Sequence, residues 1–364
     1  MALVPQNIKS LQPYKAGGRI EDVMRRYGLT KVVKLASNEN PLGPSPKAIE
    51  AARATLADAH RYPDAAAFEL RSALAQRFKT KLDNVIVGSG SEGIMSCIMR
   101  TFLLWNDEIV SAENTFLGFR VLADGSGRKV HWVPMKQHRY DLAAMADRIN
   151  EYTKIVYIAN PDNPTGSYVT VEEFDAFMKR VPDRVLVILD EAYLEFASNR
   201  PDYPDSMHYR YDNVITLRTF SKLYGLAGFR VGYALAHDEL ISNLMKVKLP
   251  FEPSSAAQAA GLAALGDTEF MQRTVELTRQ GIATLRSGLE SMGVNALPSA
   301  ANFVAIDFGD AARAQKLSEQ LLQRGVMVRY LGGWGWPSIF RVSVGLPEEN
   351  QFFLEQLGEL LRNG

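Results

Sequence analysis

Short runs of apolar residues alternate with amphipathic helical patterns through most of the chain. Rich in valine, isoleucine and leucine, these runs begin at Asn84, Glu108, Lys129, Lys154, Arg184, Asn213 and Arg230. Runs that are apolar on both faces predict strands buried on both sides, and the helical segments between them, such as residues 171–180, predict βαβ units. The pattern therefore predicts a large α/β domain over residues 35–250, with a mostly parallel mixed sheet sandwiched by helices.

The pattern changes after this region. A long helical stretch covers about residues 269–292, and another helix closes the chain. Strand-like runs occupy residues 301–306, 326–329 and 340–344. This alternation predicts a smaller α+β domain over residues 251–364. Residues 1–34 precede a stretch rich in proline and glycine, so we predict an N-terminal arm that packs on the small domain or on a partner subunit.

Composition narrows the classes of function. The chain has 364 residues, of which 46% are hydrophobic and 23% charged, as is typical of folded globular proteins. Its 41 basic residues balance 41 acidic ones, so no overall field attracts nucleic acid or an anionic membrane, and we expect small-molecule partners. We expect no metal site.

The N-terminus and the cysteine content bear on the compartment. The first residues lack the pattern of a signal peptide, and no apolar run approaches the roughly 20 residues of a membrane span. The single cysteine, Cys97, lies in a stretch that predicts a buried helix, which excludes a disulfide within the chain. We therefore expect a cytoplasmic protein.

A glycine-rich turn, Gly88-Ser-Gly-Ser-Glu-Gly93, lies between a predicted strand and a predicted helix. Read alone, this GxGxxG pattern suggests a dinucleotide site. It does not open the domain, however, which counts against a dinucleotide-binding unit. A turn of this kind exposes backbone N–H groups and the positive end of a helix dipole, which suit any phosphate. The pattern thus indicates a phosphate site of unspecified type, with a purely structural turn as the alternative.

A lysine follows another predicted strand, in Thr219-Phe-Ser-Lys222-Leu-Tyr-Gly-Leu-Ala-Gly-Phe-Arg230. A lysine among apolar residues and near a cation loses its proton more readily and becomes a nucleophile towards aldehydes. The neighbouring hydroxyls and Arg230 suit a phosphate dianion. The segment predicts a covalent cofactor site at Lys222, and the alternative is a solvated loop lysine.

Two more predicted strands end in polar residues. The loop Asn160-Pro-Asp-Asn163-Pro-Thr-Gly166 follows one of them, and Asp190 ends the other, three residues before Tyr193. Ligands of open α/β sheets gather at the carboxyl ends of the strands. A carboxylate there either caps the strand or holds a proton on the ring nitrogen of a pyridine cofactor.

Together these segments resemble the fold-type I transferases that depend on pyridoxal 5'-phosphate (PLP), and among them the histidinol-phosphate aminotransferase family. The resemblance runs nearly end to end and includes residues 35–46, Arg61-Tyr62-Pro-Asp64, and residues 325–345. Its most specific part is a set of residues in order and at compatible spacing: Asn163, Asp190, Tyr193, Lys222 and Arg230. The resemblance implies PLP as the cofactor.

The resemblance also implies catalytic roles. Lys222 would hold the cofactor as a Schiff base and then move the proton between the substrate and the cofactor. Asp190 would pair with the protonated ring nitrogen. Asn163 and Tyr193 would contact the phenolic oxygen, and ordinary loop and core hydrogen bonding is the alternative for these two.

The remaining cofactor contacts are implied in the same way. Phe116 would stack on the pyridine ring, at a position where many relatives carry tyrosine. The phosphate would be bound by Thr219, Ser221 and Arg230 and by the backbone of Gly90, Ser91 and Glu92. Tyr62 would reach the phosphate from the neighbouring subunit, which implies a homodimer with shared active sites. A surface tyrosine in a Tyr-Pro turn is the alternative for Tyr62.

Substrate contacts are implied for four residues. Arg341 would hold an anionic end of the substrate, because the planar guanidinium suits a carboxylate or a phosphate. Arg329 would add a second cation, and a surface ion pair is its alternative. Asn38 and Tyr14 complete the set, and Tyr14 either closes over the substrate or anchors the arm.

The resulting prediction is transamination between L-histidinol phosphate or imidazole-acetol phosphate and glutamate or 2-oxoglutarate, in histidine biosynthesis. Two alternatives keep the cofactor: an aromatic amino-acid aminotransferase, whose pocket would use Trp334 and Trp336, and a decarboxylase of the threonine-phosphate type. A PLP-binding regulator without enzymatic activity is disfavoured because the chain shows neither an added domain nor a basic patch.

Overall fold

The computed structural model describes residues 3–12, 18–205 and 210–363. Within these ranges, no helix combines the length and the apolar character that crossing a membrane requires. Two sheets with their covering helices make up most of the described chain, and a short two-stranded ladder joins the N-terminal residues to the second sheet region.

The larger sheet has seven strands in the order β2-β8-β7-β6-β5-β3-β4. Neighbouring strands from β7 to β4 run parallel, whereas β8 is antiparallel to both of its neighbours. The strand bounds are β2 (Val85–Gly88), β3 (Glu108–Ala112), β4 (Lys129–Val133), β5 (Thr153–Ala159), β6 (Leu186–Asp190), β7 (Val214–Thr219) and β8 (Gly232–Leu235). The predicted mostly parallel mixed sheet is confirmed.

Alternating side chains explain why this sheet is covered on both faces. In β5, Ile155 and Tyr157 pack into the cluster on one face, and Val156 and Ile158 pack into the cluster on the other. Successive side chains of a strand point to opposite faces, so an uninterrupted apolar run needs cover on both sides. Both clusters consist of fully or nearly fully buried residues.

Helices supply that cover. The predicted helix at residues 171–180 begins after Thr170, whose hydroxyl accepts from the Glu173 N–H while the Glu173 carboxylate accepts from the Thr170 N–H. This reciprocal capping satisfies two free N–H groups of the first turn. The helices of this region are α3 (Pro46–Ala54), α4 (Phe68–Arg77), α5 (Gly90–Phe102), α6 (Leu117–Gly125), α7 (Leu142–Asp147), α8 (Val171–Met178), α9 (Leu194–Ala197), α10 (Asp238–Val247) and α11 (Ser255–Leu265).

The smaller sheet has the order β12-β13-β10-β9 and is antiparallel throughout. Its strands are β9 (Asn295–Ala296), β10 (Phe303–Asp307), β12 (Arg329–Tyr330) and β13 (Ile339–Ser343). The helices that pack with it are α12 (Thr268–Ser291), α13 (Ala311–Gln323) and α14 (Pro347–Arg362). This arrangement agrees with the α+β character predicted for the C-terminal part of the chain.

The single strand predicted at residues 326–329 is wrong. The segment forms two short strands, β11 (Val326–Met327) and β12, which belong to different sheets. β11 pairs in parallel with β1 (Val33–Lys34), whereas Arg329 of β12 pairs with Arg341 of β13. The chain changes its pairing partner at Val328, and an apolar run in the sequence carries no information about such a change.

The N-terminal residues contact both parts of the chain. Their elements are α1 (Gln6–Ser10), α2 (Ile20–Tyr27) and β1. Val23 of α2 packs against Met327, beside the ladder between β1 and β11. In α1, the Asn7 side-chain amide donates to the Gly125 carbonyl at the end of α6, at 3.2 Å. The arm and the domain boundaries at residues 34 and 250 stay predictions.

A buried carboxylate stabilises the larger sheet at the edge where its parallel strands begin, opposite the edge that carries Asp190. Glu108, the first residue of β3, accepts hydrogen bonds from Lys129, His131 and Asn150 at 2.6–2.9 Å. Burial alone would raise the pKa of Glu108, but the three donors together lower it to about 2. The ionised carboxylate therefore stabilises the folded protein.

Glu108→Gln is expected to lower the free energy of unfolding by about 1–3 kcal/mol at neutral pH, because it replaces the charged acceptor of three hydrogen bonds by a neutral amide. The folded pKa is depressed, so this contribution is complete above the ordinary value of 4.5 and is lost as the pH falls towards 2. Thermal unfolding of wild type and variant across this pH range measures the difference. Glu50→Gln, on an exposed position of α3, is the control. A pH-independent difference would contradict the assignment.

Candidate active site

A cavity of about 200 Å³ opens at the carboxyl ends of β5, β6 and β7, where it faces β12 and β13 of the smaller sheet. Most of the residues predicted from the sequence line it. They are Asn38, Ser91, Glu92, Phe116, Asn163, Asp190, Tyr193, Thr219, Ser221, Lys222, Arg230, Arg329 and Arg341. The structure therefore brings together residues that lie on separate elements of both sheets.

Three predicted residues stand apart from the cavity lining. Gly90 begins α5 and lies directly behind the lining residue Ser91. Tyr62 is 80% exposed, and its ring stacks on Phe251 with the centroids 4.3 Å apart, so it does not reach the cavity of its own chain. Tyr14 lies outside the described residues.

Lys222 lies two residues after the buried Phe220, just beyond the end of β7. Its ammonium donates to the Ser37 carbonyl at 3.3 Å and lies 5.7 Å from the ring centre of Tyr193. Burial, with Arg341 and then Arg230 adding to it, lowers the pKa of Lys222 to about 8. About a tenth of the amine is therefore free of its proton at pH 7, against well under a hundredth for an ordinary lysine, and nucleophilic attack requires this free form.

Asp190 ends β6 with its carboxylate buried at the base of the cavity. It accepts from the Tyr157 hydroxyl at 2.8 Å and from the Ala192 N–H at 3.2 Å. Burial raises the pKa of Asp190 to about 6, although both hydrogen bonds lower it. A cation placed beside this carboxylate would favour its ionised form.

Tyr157 is a contributor to the site that sequence analysis missed. Its ring stacks on Phe119 with the centroids 3.8 Å apart, and its hydroxyl points at Asp190. One signal was present in the sequence, because Tyr157 is the one polar-tipped side chain in the aliphatic run from Ile155 to Ile158. A fully buried tyrosine usually needs a hydrogen-bond partner, and the neighbouring strand end supplies it.

Tyr193 and Asn38 form a hydrogen-bonded pair on one wall. The Asn38 amide donates to the Tyr193 hydroxyl at 2.9 Å, which leaves the tyrosine proton available for another acceptor. Burial raises the pKa of Tyr193 to about 12, so the hydroxyl keeps its proton. Ser343 fixes Asn38 by accepting from its backbone N–H and donating to its side-chain oxygen, each at 2.8 Å. Sequence analysis did not assign this role to Ser343.

Arg341 connects the two parts of the chain across the cavity. It lies in the middle of β13, and its guanidinium donates to the Ala36 carbonyl at 2.9 Å and to the side-chain oxygen of Asn163. Asn163 belongs to the loop that follows β5. Because its oxygen accepts from Arg341, the Asn163 amide group is left as the donor towards the cavity.

The start of α5 and the segment after β7 form a cradle suited to an anion. Thr219 donates to Ser221 Oγ at 3.0 Å, so the two hydroxyls lie side by side near the first N–H groups of α5. Arg230 contacts Glu92 at 3.8 Å and keeps half of its side chain exposed. A Cβ at Gly90 would approach Arg230 Nη2 to 2.8 Å, so glycine keeps this space open.

Aromatic residues cover the other side of the cavity. Phe116 immediately precedes α6, and its ring lies so close to Gly118 that a Cβ there would come within 2.5 Å. Trp334 also lines the cavity, and its ring lies 4.9 Å from the guanidinium carbon of Arg329. Trp336 instead packs against His138, with ring centres 4.7 Å apart. Of the two tryptophans considered for an aromatic pocket, one therefore lines the site.

Comparison with known proteins shows which family this sequence resembles. A family model described as aminotransferase class I and II matches residues 30–357. The chain is 43% identical to a histidinol-phosphate aminotransferase of Anaeromyxobacter sp. (strain Fw109-5), over 99% of this chain and 100% of that protein. It is 41% identical to the enzyme of the same name from Geobacillus sp. (strain WCH70), over 99% and 98%.

A solved structure supports the same relationship. The histidinol-phosphate aminotransferase of Sinorhizobium meliloti, crystallised in complex with pyridoxal-5'-phosphate, superposes with a TM-score of 0.91 at 30% identity. The match covers 100% of this chain and 98% of that chain. The similarity therefore extends over both sheets and over the cavity between them.

The reactivity of Lys222 towards an aldehyde is expected to rise with pH around a midpoint of about 8, because burial and neighbouring cations lower its pKa. Labelling with an aldehyde, reduction with borohydride and peptide mass spectrometry measure the modified fraction. Arg341→Met removes one of the cations and is expected to move the midpoint to higher pH. A midpoint near 10.5, the ordinary value for lysine, would contradict the described environment.

Proposed function

The chain belongs to the aminotransferase class I and II family, and we propose that it transfers an amino group between L-histidinol phosphate and 2-oxoglutarate, with PLP as cofactor. The observation that carries this proposal is the joint presence, in one cavity, of the activated Lys222, the buried Asp190 and the anion cradle at Arg230. Full-length identity above 40% to proteins named for this reaction supports the substrate.

The residues present fit PLP. Its phosphate suits the cradle, where the N–H groups of α5, the hydroxyl of Ser221, to which Thr219 donates, and the guanidinium of Arg230 are donors. Its aldehyde suits the lysine amine. The ring nitrogen suits Asp190, whose raised pKa would fall beside a cation. Bound there, PLP would supply an electron sink next to the substrate's reacting carbon.

The chain's own groups have distinct tasks in this proposal. Lys222 Nζ would move the proton between the substrate α-carbon and the cofactor. Its pKa, lowered to about 8, lies near neutral pH, as this proton transfer requires. Asn163 and Tyr193 donate to the phenolic oxygen of the cofactor from the groups that their own partners leave free. Phe116 would stack on the cofactor ring.

The two substrates are bound by the arginines that line the cavity. Arg341 holds one anionic end from the middle of β13, and Arg329 holds a second one beside Trp334. A planar guanidinium can donate two parallel hydrogen bonds to a carboxylate or to a phosphate. One pair of arginines therefore serves both glutamate and histidinol phosphate. Asn38 is placed to contact the substrate from the same wall. The proposed location is the cytoplasm, which suits the buried and free thiol of Cys97.

Purified protein incubated with PLP is expected to show a visible absorbance band that L-glutamate and L-histidinol phosphate each abolish, as both are amino donors. Lys222→Ala is expected to lose the band and to lower the turnover by at least about a thousandfold, because nucleophile and proton-transfer group are lost together. Lys246→Ala, an exposed lysine of α10 outside the cavity, is the control.

Two other outcomes would change the assignment. A band abolished by L-phenylalanine but not by L-histidinol phosphate would favour an aromatic amino-acid aminotransferase. Release of CO₂ without a requirement for 2-oxoglutarate would favour a decarboxylase. Absence of the band in wild-type protein with added PLP would refute the proposal itself.

The proposal includes a homodimer, in which Tyr62 reaches the phosphate cradle of the partner subunit. In one chain Tyr62 lies on the surface with other exposed apolar side chains, which a partner would cover. They include Leu56, Phe68, Leu249 and Phe251.

Tyr62→Phe keeps the ring and removes the hydroxyl, so it is expected to weaken PLP binding several-fold while the protein stays dimeric. Fluorescence titration of the apoprotein with PLP measures the affinity, and sedimentation equilibrium measures the mass. Tyr152→Phe, at another exposed tyrosine, is the control. A monomeric wild-type protein with full activity would refute the shared site.

A further inference from the structure

A chain of buried hydroxyls lies behind the cavity and ends on a carboxylate that the proposed chemistry does not use. Tyr140, Thr115 and Asp162 are 8%, 1% and 0% exposed. The Tyr140 and Thr115 oxygens are 2.5 Å apart, and Thr115 Oγ1 donates to Asp162 Oδ1 at 2.8 Å. The three residues lie before α7, after β3 and after β5.

The hydrogen-bond partners give this chain a direction. Thr115 has one hydroxyl proton, which it donates to Asp162, so the proton between Tyr140 and Thr115 belongs to Tyr140. The Tyr140 oxygen in turn accepts from the Ala159 N–H at 2.9 Å. Each group thus has a donor and an acceptor that match, and we call the series Tyr140, Thr115 and Asp162 the hydroxyl relay.

The relay connects two loops that each supply a wall of the cavity. Thr115 is followed immediately by Phe116, and Asp162 is followed immediately by Asn163. Both of these following residues line the cavity. The hydrogen bond between Thr115 and Asp162 therefore fixes the separation of the two loops directly behind the side chains that would hold the cofactor ring.

Hydrogen bonds within the loop that carries Asn163 determine its shape, whereas a hydrogen bond to another loop determines its position. The Asp162 N–H donates to the Ser167 carbonyl at 2.8 Å, and the Gly166 N–H donates to the Asp162 carbonyl at 2.9 Å. Asp162 Oδ2 also accepts from the Thr165 hydroxyl at 2.9 Å. These bonds hold the loop together, whereas Thr115 ties it to the neighbouring strand end.

We propose that Tyr140, Thr115 and Asp162 are positioning residues for Asn163, which they hold at the distance from the ring and from Arg341 that the reaction needs. This inference rests on the proposed function, because it concerns the same cofactor site. None of the three lines the cavity, so they act through Asn163 rather than by contact with cofactor or substrate. A shift of the loop would move both hydrogen-bonding groups of the Asn163 amide at once.

Thr115→Val tests the relay, because valine matches the volume of threonine but cannot donate to Asp162 or accept from Tyr140. We expect kcat/KM to fall about tenfold, in the range of coupling seen within one hydrogen-bond network. Thr115→Ser keeps the hydroxyl and should restore most of this loss. Thr278→Val, at a buried threonine of α12 outside the site, is the matched control and should leave kcat/KM unchanged.

A double-mutant cycle separates positioning from a general loss of structure. In an Asn163→Ala background, Thr115→Val should lower kcat/KM less than about twofold, because the residue through which the relay acts is absent. A spectroscopic readout supplements the rates. Without a well-placed Asn163 amide, the phenolic oxygen of bound PLP holds a nearby proton more tightly, so the pH midpoint of the visible absorbance should move upward in Thr115→Val.

The outcomes separate this inference from the proposed function. If wild-type protein shows no absorbance with PLP, the proposed function fails and the relay has no cofactor to serve. If wild-type protein binds PLP and transaminates, but Thr115→Val matches Thr115→Ser or loses as much activity in Asn163→Ala as in wild type, the positioning role is refuted. Should Thr115→Val fail to fold, Tyr140→Phe removes only the first hydroxyl of the relay, leaves the bond between Thr115 and Asp162 in place, and is expected to give a smaller absorbance shift in the same direction.

Discussion

The parallel register of β5, β6 and β7 is the constraint on which the site depends. Asp190 at the end of β6 pairs with Ala159 at the end of β5 and with Leu217 of β7, so the polar residues that follow these strands emerge at one edge. Parallel strands buried on both faces are held in register by their apolar side chains. A slip of one residue would turn Asp190 away from the cavity and expose part of the core, so packing energy protects the geometry of the site.

Burial shifts the pKa values of the ionisable groups at this edge of the sheet. It lowers the pKa of Lys222 to about 8 and raises the pKa of Asp190 and of Asp162 to about 6 each. All three shifts favour the neutral form of a group that water would keep charged. A bound cofactor would offset part of this desolvation cost. A cationic ring nitrogen would pair with the Asp190 carboxylate, and a dianionic phosphate would accept from the donors of the cradle.

The smaller sheet completes the site from the opposite side. Arg341 of β13 reaches Asn163 and Ala36, and Ser343, two residues further along the same strand, holds Asn38. Residues two apart on a strand point to the same face, so one strand presents Arg341 to the cavity and Ser343 to Asn38, which lines it. Arg341 and the support of Asn38 and Tyr193 thus belong to one element, β13.

Much of this could be predicted from the sequence alone. Local patterns determined that apolar runs alternate with helices, and that Lys222, Asp190 and Asn163 follow strand ends, because strand periodicity and loop residues are properties of neighbouring positions. The tertiary structure decided what depends on distant partners: the exchange of pairing at Val328 and the hydroxyl relay from Tyr140 to Asp162. Such contacts join residues far apart in the chain, and their distances and burial exist only once the sheets have assembled.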